Sequence, residues 1–165
     1  MKQSYVPIRY VPKNLKRSEK LKQIKMLLKS RKMYKKHKYY SREKLKTFHS
    51  KKSNHITDAR KIYNIQKITP NKQFAAATGC SISSLKKIVR KGEGAYYSSG
   101  SRPNQTPQSW GLARLASSVT GGRASVVDFD IIQKGCNHNK KAYLLANKTK
   151  KMFSNGLTKT KKVKI

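Results

Sequence analysis

The apolar residues of this chain recur mostly at helical spacing, with lysine and arginine between them. Over residues 14–38 the apolar stripe predicts one long basic helix, either solvated or laid along phosphate or an acidic protein groove. The stripe consists of Leu15, Leu21, Ile24, Leu28 and Met33. Before it, residues 5–12 hold two prolines among alternating apolar residues, which favours an extended segment. After it, residues 57–65 predict a short helix with Thr57 at its N-cap.

Residues 70–91 predict two short helices joined by a turn. Pro70 begins the first helix, Gly79 ends it in a left-handed conformation, and Ser81 caps the second. The inner face of the second helix consists of Ile82, Leu85, Ile88 and Val89. Its outward residues are Ser83, Ser84, Lys86 and Lys87. The pattern is typical of a helix-turn-helix, whose outward residues face a DNA groove, and equally of a plain helical hairpin.

Residues 92–106 predict a loop, because they combine three glycines with a proline and paired small hydroxyl residues. Arg102 in this loop has two interpretations. It binds a carboxylate or phosphate through its forked guanidinium, or it packs with Tyr96 and Tyr97 and fixes the loop.

A further helix is predicted after Thr106, which supplies its N-cap, and its tryptophan, Trp110, is expected in the core. Residues 125–134 fit either a helix or a strand. We favour the helix, because Gly135 is typical of a C-terminal cap. A last basic helix is predicted over residues 139–151. Its inward residues are Ala142, Tyr143, Leu144 and Leu145.

Charge divides the chain unevenly. The 165 residues include 40 Lys and Arg against 6 Asp and Glu, a formal net charge of +34, and residues 92–136 are nearly neutral. Since like charges oppose compaction, we expect a mainly α fold in three parts. These are a basic N-terminal arm of extended and helical segments (1–61), a compact helical domain with the hairpin (62–136), and a basic C-terminal helix and tail (137–165). The arms are expected to be ordered only against a partner.

Candidate catalytic and metal-binding groups are few. Six carboxylates and four scattered histidines argue against an enzyme, a small-molecule substrate and any catalytic residue. Cys80 and Cys136 are interpreted as reduced thiols, as in a cytosolic or nuclear compartment. With His138 they lack the paired spacing of a zinc site, so no metal or cofactor is expected. Asp128 is expected to cap a helix.

The basic residues are the candidate contacts to nucleic acid or to an acidic protein. The chosen set is Lys29, Arg31, Lys32, Lys35, Lys36, Lys86, Lys87, Arg90, Lys91 and Arg102. Three aromatic residues, Tyr39, Tyr40 and Phe48, lie among lysine and arginine residues in the sequence. They either stack on bases of a single strand or anchor the segment in a neighbouring protein.

Five segments carry a resemblance to known proteins. They are YVPKNL (10–15), KSRKMYKKHKYY (29–40), KKSNHITDARKIY (51–63), TGCSISSLKKIVRKGEGAYYSSGSRPNQTPQSWGLARLASSVTGG (78–122) and VDFDIIQKGC (127–136). Together they are similar to a family of small basic proteins encoded by large nucleocytoplasmic DNA viruses, with relatives in some bacteriophages. The resemblance implies a non-enzymatic, virion-associated protein and transfers no catalytic residue.

Two functional hypotheses follow. In the first, the protein is a minor structural component of a large DNA virus particle, present in the host cytoplasm or nucleus during assembly. Its arms would bind the undersides of the major and other minor capsid proteins, with double-stranded DNA or internal membrane headgroups as further partners. In the second, it is a DNA-binding packaging or regulatory protein that uses the hairpin at residues 70–91.

Overall fold

The computed structural model describes residues 3–165 and is mainly helical, as the apolar spacing predicts. The eight helices of the described residues are α1 (Arg17–Tyr34), α2 (Asn54–Tyr63), α3 (Lys72–Thr78), α4 (Ile82–Ser98), α5 (Pro107–Val119), α6 (Arg123–Val127), α7 (Phe129–Gly135) and α8 (Lys141–Met152). Two strands, β1 (Tyr5–Pro7) and β2 (Lys162–Lys164), form an antiparallel pair, and a 3₁₀ helix (Ile8–Tyr10) follows β1. Across the described residues, every helix is too short or too polar to cross a membrane.

The chain divides into two compact units. Unit 1 consists of the residues up to Lys51, Glu93–Trp110 and Thr158–Ile165, and unit 2 consists of Lys52–Gly92 and Gly111–Leu157. These boundaries differ from those expected at residues 61 and 136. Each unit therefore combines segments that are distant in the sequence.

Unit 1 is built around β1, β2 and α1. Val6 of β1 is paired with Val163 of β2. Two small apolar clusters fill this unit. One comprises Val6, Tyr10, Val11 and Leu27, and the other comprises Leu15, Met26 and Leu45. The extended segment predicted before α1 is thus a short strand followed by a 3₁₀ turn.

The buried face of α1 differs from the predicted stripe. Gln23, Met26, Leu27 and Ser30 are buried, whereas Leu21 is 53% exposed and Leu28 is also exposed. The two polar residues are accommodated because each finds a backbone acceptor. Gln23 donates to the Tyr10 carbonyl at 3.0 Å, and Ser30 donates to the Tyr97 carbonyl at 3.1 Å. Of the predicted stripe, Leu15 is buried and Ile24 and Met33 are half-buried, so hydrophobic spacing identified part of the buried face and missed its polar members.

Trp110 also lies elsewhere than predicted. Its half-buried ring packs in unit 1 and meets Tyr10 edge-on at 5.8 Å between centroids. The core of unit 2, where an anchor was expected, is filled without it. Instead Tyr63 packs edge-on against Phe74 and donates its hydroxyl to the Val119 carbonyl. Burial raises the pKa of the Tyr63 hydroxyl above its ordinary value.

The remaining core of unit 2 is formed by residues of α2, α4, α5, α7 and α8. Its fully buried members include Ala59, Leu85, Leu115, Ala116, Ile132, Ala142 and Ala146. Helix α2 begins at Asn54 after Ser53, so Thr57 is not its N-cap. In α8 the alanines face inward, and Leu144, which was predicted to face inward, is exposed.

Helices α3 and α4 form where residues 70–91 predict them, with Gly79 left-handed at φ 74°. Ser81 caps α4 by accepting from the Ser84 amide at 3.2 Å. Two details differ. The first helix is capped by the Asn71 side chain rather than begun by Pro70. Ser84 is buried rather than outward.

Helix α4 continues to Ser98, through most of the glycines that predicted a loop. At least one of these glycines has a different role, because α4 and α5 approach each other closely inside unit 2. A Cβ on Gly92 would lie 2.6 Å from Cα of Gly111 in α5, so glycine is required there by contact rather than by a turn. The actual connection to α5 starts at Ser99 and ends at Thr106, which accepts from the Ser109 amide as the predicted cap.

Residues 125–134 are helical, as we favoured, but the helix is broken at Asp128 into α6 and α7. Gly135 is the last residue of α7 and not a left-handed cap; its neighbour Cys136 ends the helix. A Cβ on Gly135 would overlap the Ser84 hydroxyl at 1.7 Å, so this glycine permits α7 to pack on α4.

Cys80 and Cys136 form a disulfide, so the interpretation as reduced thiols is wrong. The two residues face each other in an isolated antiparallel bridge. Backbone bonds flank them: the Ser81 amide donates to the Gly135 carbonyl, and the Asn137 amide donates to the Gly79 carbonyl. Two cysteines 56 residues apart give no sequence signal of this pairing.

Removing this disulfide should destabilise unit 2. Because it closes a loop of 56 residues in the unfolded chain, Cys80→Ser with Cys136→Ser should lower the free energy of unfolding by about 2–4 kcal/mol. Thermal melts of the wild type with and without a reducing agent measure the same loss. The double variant is the control, since its melting temperature should not respond to the reductant. A reductant-insensitive wild type would contradict the assignment.

Two glycines of α4 provide a matched pair. Gly92→Ala should destabilise the protein by about 1–3 kcal/mol, because the new methyl group meets the α5 backbone. Gly94→Ala adds a methyl group with no neighbour nearer than 4.0 Å, and should stabilise by about 0.5–1 kcal/mol through helix propensity. Denaturant unfolding measures both. Equal effects would mean that the two helices do not approach each other at Gly92.

Candidate polyanion-binding surface

The basic residues predicted to bind a partner fall in both units. Lys29, Arg31, Lys32, Lys35, Lys36 and Arg102 belong to unit 1, and Lys86, Lys87, Arg90 and Lys91 belong to unit 2. Most of these side chains are exposed, and Arg31 is half-buried. Unit 1 carries 23 basic and 3 acidic residues, whereas unit 2 carries 17 and 3. Each unit by itself is therefore strongly cationic.

Arg31 of α1 is engaged inside unit 1. Its Nε and Nη2 donate to the Ser99 carbonyl at 3.0 and 2.9 Å, and Nη2 also donates to the Tyr5 carbonyl at 3.1 Å. Burial lowers the pKa of its guanidinium, although arginine stays charged at neutral pH. Arg31 thus ties strand β1 to the segment after α4. In contrast, Lys32, Lys35 and Lys36 are exposed at the end of α1.

Lys29 borders a shallow groove of about 440 Å³ on α1. The groove is lined by Ser18, Leu21, Lys22, Lys25, Met26, Lys29 and Tyr40. The Lys29 ammonium lies 4.4 Å from the centre of the Tyr40 ring, so it covers one face of that ring. At the rim, Lys22 and Glu43 form a salt bridge of 2.7 Å, and their hydrogen bond raises the lysine pKa and lowers the carboxyl pKa.

Helix α4 presents two rows of cations from unit 2. Lys86 and Arg90 are four residues apart, as are Lys87 and Lys91, so each pair lies on one helix face. The first three are exposed. Lys91 lies 3.4 Å from Asp128 and is half exposed.

Asp128 occupies the predicted N-cap position, at the start of α7, but its side chain makes no capping hydrogen bond; the carboxylate is instead a buried ion-pair centre, only 1% exposed. Arg114 donates to both carboxylate oxygens, from Nε at 2.9 Å and from Nη2 at 2.7 Å. The Ser118 hydroxyl donates at 3.0 Å. A buried carboxylate requires such compensation, and this one also fixes the break between α6 and α7 against α5.

Arg42 in unit 1 was not among the predicted site residues, yet its side chain makes several contacts. Its guanidinium carbon lies 3.7 Å from the centre of the fully buried Tyr96 ring. It donates to the hydroxyls of Ser30 and Ser101 and to the Tyr96 carbonyl, at 2.7–2.9 Å. Burial lowers its pKa. Tyr96 therefore packs as predicted, but Arg42 rather than Arg102 holds it; Arg102 is exposed.

The chemistry available to these surfaces is charge binding. Within the described residues, Lys22, Lys91 and Arg114 form salt bridges. Within residues 3–165, no group of three or more His, Cys, Asp and Glu side chains is placed to hold a metal ion. The lysines and arginines therefore far outnumber the acidic side chains that could neutralise them.

Residues 7–136 match a family of unknown function, DUF5824. The chain belongs to this family. The DUF5824 segment includes α1, both cysteines and the Asp128 ion pairs, and it ends before α8. No curated protein and no solved structure matches the chain.

The buried carboxylate can be tested against an exposed one nearby. Asp128→Asn should lower the free energy of unfolding by about 3–5 kcal/mol, because it leaves Arg114 and Lys91 without a counter-charge. Asp130→Asn, two residues along and exposed, should cost below about 1 kcal/mol. Urea unfolding of both variants measures the difference. Similar losses would show that Asp128 is not the centre of a buried network.

Proposed function

We propose that this protein is a non-enzymatic structural protein that binds double-stranded DNA through exposed lysine and arginine side chains. The observation that carries the proposal is the group of exposed cations on α4, where Lys86 and Arg90 lie on one helix face and Lys87 lies beside them. Regularly spaced cations on a helix suit the phosphates of a duplex.

The excess of charge supports the same proposal. Six acidic residues cannot neutralise forty basic ones, and Asp128 and Glu43 are already engaged in salt bridges. Binding a polyanion releases counterions from it and relieves the self-repulsion of the protein. A small ligand would neutralise only a fraction of this charge.

The arrangement of α3 and α4 supports a helix-turn-helix mode of binding. Ala75 on α3 is small, Gly79 in the turn is left-handed, and Leu85 on α4 packs in the core, which are the residue types that such a motif uses. Ser83, Lys86 and Lys87 are exposed on the second helix, the position from which such motifs contact a groove. Ser84, by contrast, is buried and would not take part.

We further propose a virion location, on the strength of the resemblance to proteins of large nucleocytoplasmic DNA viruses. Packaged DNA is then the main partner. Attachment to capsid proteins through long basic arms has less support, since the described residues before Lys51 are folded within unit 1. Retention in purified particles that lack a genome would favour capsid attachment over DNA binding.

Duplex binding should depend steeply on salt. Each phosphate contact contributes about −0.9 to the slope of log K against log salt. Replacing Lys86, Lys87 and Arg90 together by Gln should make that slope shallower by about 3. Fluorescence anisotropy with a labelled duplex, measured from about 50 to 200 mM salt, gives the slope.

The matched control keeps the charge and changes the side chains. Lys86→Arg, Lys87→Arg and Arg90→Lys together should leave the slope unchanged, since nonspecific phosphate contacts depend on charge. A wild-type slope shallower than about −3, or one that neutralisation of the three residues does not alter, would contradict duplex binding through α4.

A further inference from the structure

An aromatic cluster in unit 1 combines exposure with firm support. The Tyr39 ring is 70% exposed. Its centroid lies 5.0 Å from that of Tyr97 and 6.2 Å from that of Tyr34. Tyr97 in turn meets fully buried Tyr96 edge-on at 5.2 Å, and Tyr96 lies beneath Arg42. The exposed Tyr39 ring is thus held in place by aromatic neighbours that are themselves packed against the buried, hydrogen-bonded Arg42 and Tyr96.

The chain around Tyr39 is cationic. Lys35, Lys36 and Lys38 are exposed, and none of the salt bridges within residues 3–165 involves them. The sequence holds no acidic residue between Glu19 and Glu43. His37, at φ 56°, turns the chain after α1 and brings Tyr39 back against Tyr34.

The structure separates the three aromatic residues that the sequence singled out. The Tyr40 ring is half-buried, and the Lys29 ammonium covers one of its faces. Phe48 packs against the cluster of Leu15, Met26 and Leu45. Of the three, Tyr39 is the one that is largely exposed and still fixed by neighbouring rings.

We propose that Tyr39 stacks on an unpaired base of single-stranded nucleic acid, while Lys35, Lys36 and Lys38 contact the flanking phosphates. The inference rests on the proposed nucleic-acid binding and adds a preference for single strands. In a duplex the base faces are already stacked on one another, so an exposed ring gains nothing there. An acidic peptide would pair with the lysines but has no need of a flat, supported ring.

The test compares single strands of equal length and charge, with a duplex and polyglutamate as further ligands. The ligands are a 12-nucleotide oligo(dT), an oligo(U) and an abasic deoxyribose-phosphate strand of the same length, together with a duplex and polyglutamate. Tyr39→Ala should weaken oligo(dT) binding roughly 5- to 150-fold, the range for loss of one stacked base. Binding of the duplex and the abasic strand should not change. Comparison of oligo(dT) with oligo(U) distinguishes DNA from RNA as the preferred strand.

Tyr39→Phe is the control, because it keeps the ring and should keep the affinity. Since Tyr39 is exposed, the alanine variant should fold, and circular dichroism checks this. Equal binding of oligo(dT) and the abasic strand, or no effect of Tyr39→Ala on oligo(dT), would overturn the inference while leaving duplex binding intact. A Tyr39-dependent affinity for polyglutamate would overturn it in favour of an acidic protein. Failure of every nucleic acid to bind would contradict the proposed function itself.

Discussion

The scarcity of carboxylates constrains everything else in this protein. With 6 acidic residues for 40 basic ones, a cation that must be buried cannot in general be given a counter-ion. The protein meets this constraint in two ways. In unit 2 one buried carboxylate, Asp128, serves Arg114 and Lys91 together. In unit 1 the buried guanidinium of Arg42 is held by hydroxyls, a carbonyl and an aromatic face. Both arrangements compensate the desolvation of the charge, because hydrogen bonds and ring quadrupoles replace the lost water. Neither reduces the net charge of the exposed surface by much.

The sequence predicted the helical class and most helix positions, since spacing of apolar residues, Ser81, Thr106 and Gly79 are local signals. It failed where the structure depends on contacts between distant segments. Gly92 was predicted to lie in a loop, yet it is part of a helix and packs closely against Gly111. Gln23 and Ser30 read as surface residues, yet backbone carbonyls of Tyr10 and Tyr97 allow them to be buried. The disulfide between Cys80 and Cys136 joins residues that are 56 positions apart, and only the folded chain brings them together. None of these partners can be recognised before the fold is known.

The sequence predicted that the candidate surface is rich in lysine and arginine, but not which of these side chains are exposed and which are engaged inside the protein. A basic side chain is assumed to be free when only its sequence is seen, and this holds for Lys35, Lys36, Lys86 and Lys87. Arg31 and Arg42 differ because a guanidinium can donate in several directions within one plane and tolerates burial better than an ammonium. The two arginines therefore organise unit 1, whereas the lysines remain in solvent. The residue type alone does not separate the two roles, because Arg90 and Arg102 are exposed whereas Lys91 pairs with Asp128.

The same charge has opposite effects on folding and on binding. Within unit 1, the cations repel one another, and salt weakens this repulsion over a Debye length of about 8–10 Å. Salt therefore favours the folded unit while it weakens contacts with phosphates. Binding of a polyanion removes this opposition, because its negative charge offsets the excess of basic over acidic residues. In unit 1, strand β1 pairs with β2 from the other end of the chain, and Arg31 ties β1 to the residue after α4. These links hold the unit together against its own charge, so the cations can stay exposed to a partner without being neutralised from within.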